Sequence, residues 1–161
     1  MGYEKTANGV TYNQYGARQT SGGVGIEHGY GSTWVFNIDL TGQSIADAIA
    51  GFVPPAYVKN GMMLKSATLR VDEVFVVTGT TPHLEIGSSG SSATNGITIT
   101  EAQLEALGTY DITSTGVGTW ATTSSVAADA KIGFSLEGDT AISATAGKGT
   151  VILEFVYKTK I

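Results

Sequence analysis

The residues that could do chemistry in this chain are few. Its only histidines are His28 and His83, beside Glu27 and near Glu85 respectively. A structural zinc site needs about four ligands at tight spacing, and no such cluster is present, so both read as surface histidines. Asp72-Glu73 and the Glu137-Gly138-Asp139 turn are the carboxylate clusters. A glycosidase needs two carboxylates facing each other across a cleft, and nothing in this spacing arranges that. Loop carboxylates such as Glu137 and Asp139 can hold calcium, but ordinary turn acids are the simpler reading. Serine and threonine abound without a Gly-x-Ser-x-Gly elbow, and with two histidines a serine triad has little to draw on. The chain therefore reads as no enzyme, with no cofactor and no metal. Trp34 falls on the apolar side of its strand and reads as core. Trp120 is the candidate for stacking on a ligand such as a sugar.

The elements that would position these residues are strands. Leu64 to Gly87 carries the densest signal. Ala67, Leu69 and Val71 alternate with Ser66, Thr68, Arg70 and Asp72, as in a half-buried strand. The alternation breaks at Asp72-Glu73, where a bulge is expected, and continues into Val74 to Val77, apolar on both faces. Gly79-Thr80-Thr81-Pro82 then turns the chain into His83-Leu84-Glu85-Ile86, which reads as the return strand of a central antiparallel hairpin. Trp34, Phe36, Ile38 and Leu40 mark an earlier strand. Ile132, Phe134 and Leu136 mark a later one, and Val151, Leu153, Phe155 and Tyr157 the last. Short strands are also expected at 110–113 and 118–122. Ile45, Ala48, Ile49 and Phe52 have helical spacing and predict a short helix over 43–52. Thr100 with Gln103 has the form of a capping box opening a second helix, with Leu104 and Leu107 as its apolar edge. Residues 87–96, GSSGSSATNG, read as an internal surface loop.

Residues 1–32 differ from the rest. Tyr3, Tyr12, Tyr15 and Tyr30 are spaced without period among glycines, and Asn8-Gly9 is a turn signal. This stretch reads as an extended N-terminal arm before a β-sandwich domain at 33–161. Its tyrosines and Arg18 are the candidate partner-binding residues. Eight or so strands, two short helices in connections and many glycine turns predict an all-β jelly-roll sandwich, with an immunoglobulin-like sandwich as the alternative.

Composition narrows the function classes. Charged residues make up 14% of the 161, against 22 Gly, 22 Thr, 17 Ala and 13 Ser. Such a surface is solvated by hydroxyls and backbone and loses little side-chain entropy when covered. The net charge of −5 with scattered Lys and Arg argues against nucleic acid as a partner. No apolar run spans a bilayer and no signal peptide pattern opens the chain, so no membrane association is expected. Without cysteine, packing alone must hold the fold.

The run MLKSATLRVDEVFVVTGTTPHLEIGSSG, the short helix from Thr100 and the upstream Tyr15-Gly16-Ala17-Arg18 resemble small structural proteins of tailed bacteriophages. The resemblance covers roughly 62–109. It implies a capsid decoration (cement) protein: a non-enzymatic virion component made in the host cytoplasm, sitting as a homotrimer on the outer surface of the head and bridging major capsid proteins. The low charge and the two-sided apolar strand 151–157 agree with a trimer. A carbohydrate- or receptor-binding β-sandwich module of a phage fibre or secreted protein is the competing reading.

Overall fold

The computed structural model describes residues 4–7, 10–16, 31–41, 45–46, 56–58, 60–88, 96–113, 120, 130–139 and 142–157. Eleven strand segments and one helical turn lie among them. One sheet of seven strands runs in the order β1 (Glu4–Ala7), β2 (Val10–Gly16), β3 (Gly31–Asp39), β11 (Ser143–Tyr157), β6 (Met62–Thr78), β9 (Gly108–Asp111), with β4 (Ile45–Ala46) also on β11. The second has four: β5 (Ala56–Val58), β10 (Ala130–Glu137), β7 (His83–Ser88) and β8 (Gly96–Thr100). All pairings are antiparallel. The result is an all-β sandwich with one core between the sheets.

The expected alternation places that core. Trp34, Phe36, Ile38, Ala67, Leu69, Val71, Val151, Leu153 and Phe155 are buried from the large sheet. Leu84, Ile86, Ile97, Ile99, Ile132, Phe134 and Leu136 face them from the small one. Phe36 meets Phe134 edge-on at 5.0 Å between ring centres, joining the sheets. The break at Asp72 is a bulge: Lys148 pairs with Glu73 and Gly149 with Val71, so Asp72 has no opposite number. Beyond it Phe75 is buried while Val74 and Val76 are exposed.

The central hairpin is not formed. β6 pairs with β11 and β9, and β7 pairs with β8 and β10, so residues 79–82 carry the chain from one sheet to the other. Alternation makes the same pattern whether two strands lie side by side or face each other across a core. Thr81 has φ 53°, and Pro82 has no N–H to give a ladder. The turn is pinned from the bend that follows β10, since Asp139 N–H donates to the Thr80 carbonyl at 3.0 Å and the Thr81 hydroxyl to Asp139 Oδ2 at 2.8 Å.

The helix expected over 43–52 is contradicted at Ile45–Ala46, which form β4 against Ser143 and Ala144; its other positions lie outside the described residues. The second helix is α1 (Glu101–Leu104), where the Gln103 side chain accepts from the Thr100 N–H at 2.9 Å. Leu104 is buried, but Leu107 lies past the helix and is exposed. The expected 118–122 strand and most of the 87–96 loop fall outside the described residues, save Trp120, Gly87, Ser88 and Gly96.

Candidate functional site

The candidate partner-binding residues sit in the first 32 positions, and there the structure departs from a free arm. Residues 4–16 pair as β1 and β2 and extend the large sheet beyond β3. Ala7 pairs with Val10; Asn8-Gly9 between them, the strongest short hairpin signal in sequence, lies outside the described residues. Tyr12 stands opposite Phe36 and Tyr15 opposite Thr33. Backbone pairing to β3 orders a segment whose side-chain pattern carried no strand period. β1 ends the sheet, with no further strand paired to it among the described residues. Tyr3, Arg18 and Tyr30 lie outside the described residues, as does His28.

Trp120 does not present a stacking face. It is 0% exposed and packs edge-on against Phe155, with ring centres 5.2 Å apart.

The outward face of the large sheet is the broad described surface. Three rows cross it in register: Asn37–Thr150–Arg70, Val35–Ile152–Thr68 and Thr33–Glu154–Ser66. Thr11, Asn13 and Tyr15 of β2 hold the next positions in the same rows. Thr150 donates to Asn37 Oδ1 at 3.1 Å. The cations that flank these rows meet carboxylates of the same sheet. Lys65 lies 3.5 Å from Glu154, Lys148 within 3.8 Å of Asp39 and 3.9 Å of Glu73, and Arg70 2.9 Å from Asp72. Exposed pairs of this kind add little stability. Their consequence is a face with small net field, hydroxyl-rich, with Ile152 exposed at its centre.

Three carboxyls here are held below their ordinary range. Asp39 accepts from the Thr41 N–H at 2.9 Å, and Lys148 adds a smaller pull. Asp111 is held down by the Thr113 hydroxyl and N–H. Glu154 accepts from the Ser66 hydroxyl at 2.6 Å, with Lys65 secondary. A depressed carboxyl contributes stability that is present above its unfolded pKa and lost as pH falls through its folded one. Ser66→Ala is therefore expected to destabilise the protein at pH 7 by under about 1 kcal/mol, after discounting for solvent screening. The gap between mutant and parent in urea melts should close as pH drops below the usual glutamate range.

Among the described residues no three His, Asp or Glu side chains converge as metal ligands. No helix among them is long and apolar enough to cross a membrane. Comparison with protein-family models, with curated proteins and with solved structures finds no match to this chain.

Proposed function

We propose that this chain is a non-enzymatic virion structural protein, a decoration or cement protein that stabilises a phage head by bridging major capsid proteins from the outer surface. The observation that carries the reading is the N-terminal hairpin: residues 4–16 add two strands to an open sheet and leave β1 as its edge. An edge strand offers unpaired N–H and C=O groups to a neighbouring chain, and strand addition gives affinity without a deep pocket. The neutral, hydroxyl-rich face beside it suits coverage by another protein. The phage-like run at 62–109 supplies the identity of that partner. A jelly roll is the arrangement we favour, because the chain repeatedly crosses between sheets: β4 to β5, β5 to β6, β6 to β7, β8 to β9, β9 to β10 and β10 to β11. We further infer a homotrimer, with Ile152 on the outward side of β11 available to neighbours. The competing sugar-binding reading loses its aromatic platform with Trp120 buried.

The test is Thr6→Pro in the full chain. In a two-residue hairpin the closing pair, Ala7 and Val10, is mutually hydrogen-bonded and the ladder alternates from there, so the Thr6 N–H points to the free edge. Proline there blocks the edge and removes no ladder bond. The variant is expected to keep its β-sheet spectrum yet co-sediment weakly with expanded capsids of the virus that encodes it and fail to raise their melting temperature. Full decoration by the variant would refute the edge as the clamp. Absence of capsid binding by the parent protein would refute the function itself.

A further inference from the structure

We propose that His83 and Glu85 chelate a divalent transition-metal ion of the zinc class on the face of the four-stranded sheet opposite Leu84 and Ile86. The two residues are separated by one position on β7, and Leu84 and Ile86 go to the core, so both project from the opposite face. The tautomer of the neutral imidazole follows from its other contact. His83 Nδ1 lies 3.0 Å from the Thr81 carbonyl oxygen. A carbonyl only accepts, so Nδ1 carries a ring proton, and in the neutral ring Nε2 keeps a lone pair. Nε2 lies 3.4 Å from Glu85 Oε1.

Nε2 and a carboxylate oxygen this close need a positive centre between them, either a second ring proton or a metal ion. The distance favours an ion. Good N–H···O bonds span about 2.7–3.2 Å. Two donors each about 2.0–2.1 Å from a tetrahedral ion stand about 3.3–3.4 Å apart. An imidazole whose second nitrogen donates to a backbone carbonyl is the usual outer arrangement of a metal-binding histidine, since it fixes ring orientation and raises basicity. Here the carbonyl is itself fixed, because Thr81 is tied through its hydroxyl to Asp139.

Glu85 supplies the independent observation. Its side chain is 6% exposed, and Oε2 has no hydrogen-bond partner among the described residues. A buried carboxylate left half-paired is costly unless a cation meets it. Its register neighbours are Ser135 and Thr98, and those of His83 are Glu137 and Thr100, so no fixed cation flanks the pair on either adjoining strand. An imidazole donor selects zinc, copper or nickel over calcium or magnesium. With no third His, Asp or Glu converging among the described residues, water completes the coordination. The bound ion is exchangeable, held by two side chains of one strand.

The experiment is a Zn2+ titration of the full chain, prepared without a histidine tag and followed by the ring C–H resonances of its two histidines. His83 is expected to shift and saturate at one ion per chain, with His28 unmoved and Ca2+ unable to compete. Glu85→Gln, nearly isosteric, should weaken binding about tenfold or more. His83→Gln should abolish it, and His28→Gln should leave it intact. The proposal is overturned if His83 fails to respond to excess Zn2+ in the parent protein, as it would were a proton alone shared by the pair. It is overturned equally if Glu85→Gln binds with unchanged affinity, or if Ca2+ displaces Zn2+. The parent titration alone decides the matter should His83→Gln not fold.

Discussion

Trp120→Ala is expected to cost about 3–5 kcal/mol of folding stability, the usual range for emptying a large aromatic site. The ring is among the largest fully buried side chains of the protein and rests edge-on against Phe155, itself buried on the central strand β11. Its removal opens a cavity whose wall is the sheet itself, and strands paired on both sides have little freedom to collapse inward. Trp120→Phe should recover part of the loss, since it restores the edge contact but not the volume. Urea melts with unchanged slope would show that the effect lies in stability and not in a changed denatured state. A loss under about 1 kcal/mol would mean that the indole is not in the core, against the range expected for such a cavity.

Gly147→Ala should be comparably damaging by the opposite route. Gly147 sits at φ +121°, a conformation L side chains rarely adopt. A Cβ built there would lie 2.6 Å from the Phe75 Cα and 2.5 Å from its ring. Ring and strand would both have to move. Conformational strain of about 1–3 kcal/mol adds to overpacking of about 1–3 kcal/mol. The Gly147 carbonyl also accepts from the Leu40 N–H at 3.0 Å, so a shift of β11 disturbs the end of β3. Because one clash is with backbone, Phe75→Ala in the same chain should fail to restore stability. Rescue by that second substitution would show that only the ring was in the way.

The strands at Trp34–Leu40 and Ala67–Val71 were legible because each has one wet and one dry face, and burial follows that alternation; Ile132–Leu136 alternates in sequence yet is buried on both faces, and Val151–Tyr157 carries Ile152 exposed on its second face. The bulge at Asp72 was legible because two charged residues interrupted it. Partner choice was not: the pattern of β6 and β7 fits side-by-side or face-to-face strands equally, and the crossing at 79–82 is decided by packing between remote segments. Ile45 had helical spacing with Ala48 and Ile49, yet pairing to Ser143 and Ala144 overrode it at 45–46. The strands at 4–16 lacked an apolar period, and only the Asn8-Gly9 link hinted at them. At the candidate interface, Tyr12 and Tyr15 were singled out, while the neutral rows across β3, β11 and β6 required the register. The His83–Glu85 spacing was visible, but the burial of Glu85 was not.

The position of β11 bears on how the protein is made. It sits between β3 and β6, and Thr150 bonds Asn37 across a separation of 113 residues. During synthesis β3 and β6 leave the ribosome long before the strand that joins them. Until residues 143–157 emerge, each keeps an unpaired edge and an uncovered apolar face, the species most prone to self-association. Closing so distant a pairing is also slow. Folding is therefore expected to wait for residues 143–157, and chains cut short before Ser143 should aggregate rather than accumulate as soluble fragments.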